Sequence, residues 1–331
     1  MLLRSGQDSD RDAEISMVAQ DACIGPGAYG PGAGGLSRRA LIGGLTALAA
    51  LCPCGSLALP QPAPRIVALD APATEMLVAL GRAPIGAAGL AGYRQAQGDL
   101  PLLRDAVDIG FFHEPNLELL QALSPDLFIG SFGIGAPVPA LERIAPVISI
   151  PIYGGETDSF TAAETAMRRT GEVIAETREA EAFLRDFRAE IDALRGLVRT
   201  RKPRPVYLAS PLLDGRHMIL YGTSSLFDQV MRRAGLQNAF TGETTPWGIA
   251  TLGVEKLTDA PDATLLYIRS PVTDVALDAL SDSAIWRRLP FVRQDRVTGI
   301  PYLEMYGALP TARHFTAILS TLIREGALDA G

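Results

Sequence analysis

Histidine is the side chain in this sequence best suited to bind a metal or transfer a proton, and its placement argues against both roles. His113, His217 and His314 are far apart, and none has a cysteine or a second histidine at the spacing that metal sites use. A serine, a histidine and a carboxylate could still meet through folding, but no local pattern favours such a triad. We expect hydrogen-bonded structural histidines, with His113 the one that could face a ligand.

Glycine patterns that bind nucleotides or expose a catalytic serine are the next chemical signal. The sequence from Gly25 to Gly30 matches G-x-G-x-x-G, but it contains a proline and follows no strand-like run. The chain has no P-loop and no G-x-S-x-G sequence. We therefore predict no catalytic residues, no bound metal and no intrinsic cofactor, and hence a protein that is not an enzyme.

The first 58 residues have the composition of an export signal. A polar, glycine-rich stretch leads to Ser37-Arg38-Arg39 and then to an uncharged apolar run at 40–51. Paired arginines directly before such a run are typical of the twin-arginine route, and Ala58 is the expected cleavage site. A membrane anchor needs about 20 apolar residues, and glycines and a proline interrupt this run. We predict a signal peptide at 1–58 and a periplasmic mature protein.

Cysteine and charge content narrow the class of protein further. The three cysteines, Cys23, Cys52 and Cys54, all fall in the predicted leader, so the mature chain is expected to have no disulfide. Lipid anchoring at Cys52 or Cys54 is the less favoured alternative, because neither follows the usual lipidation pattern. The net charge of −7 makes the chain a poor nucleic-acid binder.

One pattern occurs once in each half of the mature region. Residues 118–120 lead to a Pro-Asp turn and the apolar run 127–129, and residues 255–257 lead to a Pro-Asp turn and the run 265–268. A strand-like run and an amphipathic helix closed by glycine precede each copy, at 65–69 and 75–81 and again at 205–209 and 227–235. This alternation predicts an α/β fold with two Rossmann-like lobes and mainly parallel sheets.

A long helical stretch separates the two halves. From Thr177 to Val198 the apolar positions recur at helical intervals opposite a charged face. Upstream, Thr161 and Glu164 have the spacing of a capping box, which predicts a helix start there. We predict a stiff helical connection that limits closure of the lobes. The predicted domains are an N-terminal lobe at 59–155, connecting helices at 156–202 and a C-terminal lobe at 203–331.

Several short stretches follow one another in a specific order. They are Arg65 to Leu69, Glu114 to Leu120, Arg143 to Pro146, Arg216 to Met218, Thr241 to Thr244, Trp247-Gly248, Leu289 to Arg293 and Tyr306-Gly307. Their order and spacing resemble the periplasmic ferric-hydroxamate (ferrichrome-type) siderophore-binding proteins of ABC importers, over residues 63–326. The resemblance implies two α/β lobes joined by one long helix, the helical-backbone type of metal-chelate receptor. It also implies a shallow aromatic cleft that binds a ferric siderophore.

The resemblance implies that Trp247 and Tyr306 contact the ligand. An aromatic ring offers flat apolar area, and the Trp N–H or Tyr O–H donates a directed hydrogen bond. Pro246 and Gly248 place Trp247 in a loop, where binding residues concentrate. Trp286 is instead expected to pack in the second lobe, because apolar residues surround it in the sequence.

Two polar contacts of the family are replaced by apolar residues in this chain. The family's arginine aligns with Phe112 and its tyrosine with Ile134, which removes a charge-assisted hydrogen bond worth about 1.5 to 3 kcal/mol. A family tryptophan aligns with Glu304, and a neighbouring aromatic residue aligns with Met305. These replacements indicate a ligand that differs from the family's.

Nearby donors would compensate if they line the cleft, namely Tyr93, Arg94, Arg104, His113 and Arg216. A guanidinium group pairs bidentately with a carboxylate, so arginines there would favour a carboxylate-bearing siderophore over a hydroxamate. The predicted ligand is a ferric siderophore of either type. A corrinoid or haem receptor and a secreted α/β enzyme are the alternatives; few histidines and no catalytic motif count against them.

The family also implies residues for delivery to the importer. In its members one carboxylate on each lobe contacts arginines of the membrane permease. Glu255 aligns with the second-lobe acid, whereas the first-lobe acid aligns with Pro139, and Glu142, about one turn away, is expected to substitute. We expect a monomer whose partners are the ferric siderophore and the ABC importer permease.

Overall fold

The structure is a computed structural model that describes residues 63–97, 100–111, 113–131, 138–155 and 157–329. These residues all belong to one compact unit, Pro60–Gly331. Several predictions lie outside the described residues: the leader at 1–58 with Cys23, Cys52 and Cys54, and the site residues Phe112 and Ile134. Within the described ranges, no helix is both long and apolar enough to cross a membrane.

Short strands alternate with helices along the described chain. The strands are β1 (Ile66–Ala68), β2 (Gly86–Ala87), β3 (Val107–Asp108), β4 (Gly110–Phe111), β5 (Glu114–Pro115), β6 (Leu127–Gly130), β7 (Val147–Ser149), β8 (Val206–Pro211), β9 (His217–Tyr221), β10 (Ile249–Gly253), β11 (Thr264–Ile268) and β12 (Val297–Ile300). The α-helices are α1 (Ala71–Ala79), α2 (Leu90–Gln97), α3 (Leu117–Leu123), α4 (Val138–Leu141), α5 (Ser159–Val173), α6 (Thr177–Arg201), α7 (Leu226–Ala234), α8 (Pro271–Ser281), α9 (Pro290–Arg293) and α10 (Leu309–Arg324).

The first sheet has the strand order β3-β2-β1-β6-β7, and every neighbouring pair is parallel. A parallel pair needs a crossover connection, which helices normally supply. Here α1 lies between β1 and β2, α2 between β2 and β3, and α4 between β6 and β7. We call this sheet with its helices the first lobe.

The second sheet has the strand order β10-β9-β8-β11-β12 and is mixed. Its β8, β11 and β12 pair in parallel, while β9 runs antiparallel to both β8 and β10. We call this sheet with its helices the second lobe. The repeated sequence pattern forms β6 and β11, which lie beside β1 and β8 in equivalent positions. The predicted fold of two α/β lobes with mainly parallel sheets is confirmed.

Local sequence sets the ends of α1, which follows β1, and of α7, which follows β9. Asp70 lies two residues beyond the end of β1, and its Oδ1 accepts a hydrogen bond of 2.9 Å from the Ala73 N–H, which caps α1. Ser225 caps α7 in the same way through the Asp228 N–H, at 3.1 Å. Gly235, with φ of 75°, then ends α7 in the left-handed conformation that glycine adopts most readily.

Helix α6 is the predicted long helix and has 25 residues, a length of about 37 Å at 1.5 Å per residue. Its buried face carries Ala180, Leu184, Phe187, Ile191, Leu194 and Val198. The helix packs against α5, α7 and α10. On its outer side the Glu190 carboxylate accepts hydrogen bonds from the guanidinium group of Arg313 on α10. The helix is therefore fixed along its length to its neighbours.

The start of α5 differs from the prediction. The helix begins at Ser159, two residues before Thr161, and Asp158 is its N-cap, with Oδ1 accepting from the N–H groups of Phe160 and Thr161. The Thr161 hydroxyl donates to Asp158 Oδ2 at 2.7 Å. The capping box predicted from Thr161 and Glu164 is wrong, because the Asp158 carboxylate already accepts from the first free N–H groups.

One continuous apolar core serves both lobes. Its buried residues run from Ile66 in β1 to Leu328 after α10, and include side chains of α1, α5, α6, α7 and α10. Trp286 is 5% exposed and packs in a separate cluster of the second lobe, as predicted. The shared core joins the lobes directly, in addition to α6. The predicted domain boundaries at 59–155, 156–202 and 203–331 stay a prediction.

Candidate functional site

A cleft of about 700 Å³ has walls from both lobes. In parallel α/β sheets, ligands bind beyond the carboxyl ends of the strands, and several cleft residues lie one or two residues beyond the ends of β1, β2 and β12. The first lobe contributes Asp70, Ala71, Pro72, Ala88, Gly89, Gly92, Tyr93, Phe111 and His113. The second lobe contributes Trp247, Tyr302, Glu304 and Tyr306.

Aromatic rings form much of the cleft surface. Phe111 is 78% exposed and Trp247 is 45% exposed. Tyr93, Tyr302 and Tyr306 are partly buried around them. Large apolar side chains left in solvent in a concave surface are typical of a binding site. The cleft therefore presents flat apolar area together with phenol and indole donors.

A tight turn holds Trp247 at the cleft. The Gly248 N–H donates to the Thr245 carbonyl at 2.8 Å, and the Gly248 carbonyl accepts from the Gly222 N–H at 2.9 Å. Gly248 has φ of +80°, and a Cβ there would lie 2.0 Å from the Ser225 nitrogen. Only glycine lets the turn approach the start of α7 this closely.

Tyr306 is positioned by contacts with the segment that precedes α5. Its ring lies edge-to-face against the ring of Tyr153, with centroids 5.9 Å apart. The Tyr153 hydroxyl donates a 2.6 Å hydrogen bond to the carbonyl of Gly307. Burial raises the pKa of both phenols, so both remain neutral donors at physiological pH.

Glu304 is the acidic residue that the second lobe contributes to the cleft. Its Oε2 accepts a 2.9 Å hydrogen bond from the Tyr302 hydroxyl. Burial raises the pKa of Glu304, while the Tyr302 hydroxyl and the backbone N–H groups of Tyr306 and Met305 lower it. Burial, followed by the negative charge of Glu304, raises the pKa of Tyr302.

A second carboxyl group, Glu75, is buried below the cleft and 3% exposed. Its Oε1 accepts from the Thr311 hydroxyl at 2.6 Å and its Oε2 from the Ala308 N–H at 2.9 Å. Burial is the main cause that raises its pKa to about 8; the two hydrogen bonds oppose the rise, and the charge of Glu304 adds to it. Glu75 and Glu304 both raise the pKa of Tyr93, after burial.

Asp70 lines the cleft but uses its carboxylate within the first lobe. It is 3% exposed and accepts from the Ala73 N–H at 2.9 Å and from the hydroxyl and N–H of Ser131 at 2.8 and 2.5 Å. Ser131 directly follows β6, so Asp70 joins the ends of two neighbouring strands. Its role here is to shape the cleft wall.

The structure brings five of the predicted ligand-binding residues together. Tyr93, His113, Trp247, Glu304 and Tyr306 all line the one cleft. Phe112 and Ile134 lie outside the described residues.

The three predicted arginines are not among the cleft-lining residues. The Arg94 guanidinium donates to the carbonyls of Leu103, Arg104 and Ala106, so it holds the turn after α2. Arg104 is exposed in that turn. Arg216 is exposed in the loop between β8 and β9, where its N–H donates to Asp214. The structure therefore does not bring these three arginines to the cleft, and their contact with a ligand stays a prediction.

Tyr302, Phe111 and Asp70 line the cleft and were not predicted. Tyr302 lies two residues beyond the end of β12 and Asp70 two residues beyond the end of β1. The rule that ligands bind beyond the carboxyl ends of parallel strands would have indicated both. No sequence signal marks Phe111.

The two predicted permease-contact residues lie elsewhere. Glu142 is exposed in the turn after α4, and Glu255 is exposed at the start of a 3₁₀ turn after β10. Neither lines the cleft. Each is accessible on a different lobe.

Two α/β lobes, a long connecting helix and an aromatic cleft with walls from both lobes define a two-lobed substrate-binding protein. Residues 66–302 match the family described as periplasmic binding protein, and the chain belongs to that family. The chain is 32% identical to the iron(3+)-hydroxamate-binding protein FhuD of Escherichia coli K12, over 78% of this chain and 86% of the relative. The family resemblance found in the sequence is confirmed.

Two further proteins are similar to the chain. The crystal structure of the siderophore-binding protein FhuD from Vibrio cholerae with Fe3+-Desferal bound has a TM-score of 0.72 and 25% identity, covering 79% of this chain and 98% of that one. The Fe(3+)-citrate-binding protein YfmC of Bacillus subtilis is 22% identical, over 70% of this chain and 71% of the relative.

Proposed function

We propose that this chain binds a ferric hydroxamate siderophore in the cleft and delivers it to an ABC importer for iron uptake. The observation that carries the proposal is the pairing of Trp247 and Tyr306 in one cleft of about 700 Å³ with walls from both lobes. The 32% identity to an iron(3+)-hydroxamate-binding protein supports the same ligand class. In this proposal the protein binds and transfers its ligand and catalyses no reaction.

The chemistry of the cleft suits a bulky, largely neutral complex. A ferric trihydroxamate shields its iron inside an organic shell, so the protein needs surface complementarity and no metal ligands. The rings of Trp247 and Phe111 offer apolar area, and Tyr93 and Tyr306 offer neutral phenol donors to ligand oxygens. The carboxylate-bearing class loses its support, because Arg94, Arg104 and Arg216 are not among the cleft residues.

Haem is the second candidate, and one observation favours it. His113 and Tyr306 both line the cleft, and imidazole and phenolate are axial ligand types for haem iron. Burial raises the pKa of Tyr306, which disfavours the phenolate form and weakens this candidate.

Delivery and location complete the proposal. Glu142 and Glu255 are exposed carboxylates on different lobes, a placement suited to contact with basic groups of a permease. Export through the twin-arginine route would bring the protein to the periplasm as a monomer, with lipid anchoring the less favoured route.

The test of the permease contact is iron uptake by E142R and E255R variants, with E118R, which changes an exposed acid on α3, as the control. We expect both variants to lose uptake while they keep ligand binding, and normal uptake would remove the assignment.

The ligand class is tested by tryptophan fluorescence. Trp247 lines the cleft, whereas Trp286 is buried in the second lobe, so quenching by a bound complex should come mainly from Trp247. We expect saturable quenching by ferric trihydroxamates that is lost in the W247F variant. A Soret shift on titration with haemin, without quenching by any ferric hydroxamate, would favour haem. No response to any of these compounds in folded protein would contradict the proposal.

A further inference from the structure

Charge is unevenly distributed in the cleft. Its described lining residues include two carboxyl groups, Asp70 and Glu304, and neither a lysine nor an arginine. The Asp70 carboxylate already accepts hydrogen bonds from Ala73 and Ser131 within the first lobe. Glu304 is therefore the cleft-lining acid left to interact with a ligand.

Hydrogen bonds hold the Glu304 carboxyl group in place and oppose the rise in its pKa that burial causes, and a ligand cation beside it would lower that pKa further. The Tyr302 hydroxyl donates to Oε2 at 2.9 Å, and backbone N–H groups of Met305 and Tyr306 contribute further hydrogen bonds. A carboxylate has about four acceptor positions, so these donors leave room for a ligand donor. Glu75, with its pKa raised by burial to about 8, is mostly protonated at neutral pH, so Glu304 is the acid whose charge a ligand would meet.

We propose that Glu304 is a specificity residue that favours ferric hydroxamates with a pendant ammonium group and disfavours anionic ferric complexes. The proposal rests on the proposed function, since it assigns a ligand class within the same cleft. A cationic group beside a partly buried carboxylate gains Coulomb energy, and an anionic complex would be repelled by it. The carboxylate thus selects among complexes that the aromatic rings bind without regard to charge.

The test compares two ligands that differ by one charge. A linear ferric trihydroxamate with a free primary amine is titrated alongside the same complex after N-acetylation of that amine, and ferric citrate serves as the anionic probe. We expect the wild-type protein to bind the ammonium complex about five- to tenfold more tightly than the acetylated one, and ferric citrate least well. The preference should shrink as ionic strength rises.

The matched variants are Glu304→Gln and Glu118→Gln. A glutamine in place of Glu304 would keep an acceptor for Tyr302 and remove the charge, so E304Q should bind both trihydroxamates with nearly equal affinity. E118Q changes an exposed acid on α3 outside the cleft and should keep the wild-type preference. If E304Q does not fold, the salt dependence of the wild-type preference remains as an independent test.

The outcomes separate this inference from the proposed function. Equal wild-type affinity for the ammonium and acetylated complexes would overturn the role of Glu304 while leaving hydroxamate binding intact. A preference that survives in E304Q would overturn it as well. Failure to bind either trihydroxamate would overturn the proposed function itself.

Discussion

The carboxyl group of Glu75 on α1 accepts a 2.6 Å hydrogen bond from the hydroxyl of Thr311 on α10, 236 positions later in the chain. It also accepts from the N–H of Ala308, the N-cap residue of α10, whose own side chain cannot cap a helix. A buried acid of the first lobe therefore caps a helix of the second. This contact fixes the segment between β12 and α10, which carries Glu304 and Tyr306 to the cleft.

The raised pKa of Glu75 predicts a pH-dependent stability. Its pKa is about 8 in the folded protein, against an ordinary value of 4.5, so folding favours the protonated form. The associated stability is complete below pH 4.5 and falls as pH rises towards 8, because the folded protein binds more protons than the unfolded chain in that range. We expect a loss on the order of a few kcal/mol, at about 1.4 kcal/mol per pH unit.

Urea denaturation of wild type and E75Q at several pH values between about 5 and 8 measures this loss. Glutamine cannot titrate, so the pH dependence of the difference between the two proteins isolates Glu75. Identical slopes against pH in both proteins would show that Glu75 does not titrate in this range.

Gly248→Ala should disrupt the turn that carries Trp247. The added Cβ would lie 2.0 Å from the Ser225 nitrogen, and φ of +80° is strained for alanine. We expect destabilisation of about 1 to 3 kcal/mol and weaker ligand binding, measured by denaturation and fluorescence titration.

Gly196→Ala is the matched control for that substitution. Gly196 lies inside α6, and nothing lies within 4 Å of a Cβ built there. It should stabilise the protein by about 0.5 to 1 kcal/mol and leave binding unchanged. A G248A protein as stable as wild type would contradict the account of the turn.

Arg94→Ala should affect stability and not ligand affinity. Its guanidinium group donates to the carbonyls of Leu103, Arg104 and Ala106, which would lose these donors. We expect a loss of about 1 to 3 kcal/mol in the free energy of unfolding, with an unchanged dissociation constant for a ferric hydroxamate. If Arg94→Ala weakened ligand binding and left the free energy of unfolding unchanged, Arg94 would be a ligand contact and the prediction would be wrong.

The lobes should close little on ligand binding. Helix α6 packs along α5, α7 and α10, and one apolar core includes residues of both lobes. Small-angle X-ray scattering of the free and ligand-saturated protein should give radii of gyration that agree closely. A marked compaction would mean that a hinge exists despite the shared core.

The fold was predictable because the sequence patterns that indicate it each lie within a short stretch of the chain. The apolar period of α6, the glycine at the end of α7 and the Pro-Asp turns before β6 and β11 are each contained in a few neighbouring residues. The start of α5 was misjudged because Asp158 lies just before the Thr161 pattern and caps the helix first.

The site was predictable only in part. Tyr93 and Arg94 are neighbours in sequence, but successive side chains on a helix point about 100° apart. One therefore lines the cleft while the other contacts backbone carbonyls of the next turn. The Glu75 contact with Ala308 joins positions 233 apart, and nothing in the local sequence marks it.

The central claim is that Trp247 and Tyr306 act together in one cleft on one ligand. Titration calorimetry with a ferric trihydroxamate should give a dissociation constant raised about ten- to a hundredfold in W247A and in Y306A, as for aromatic residues at the centre of an interface. In the double variant the two losses should not add fully, because both side chains contact the same molecule. Wild-type affinity in both single variants would contradict the account.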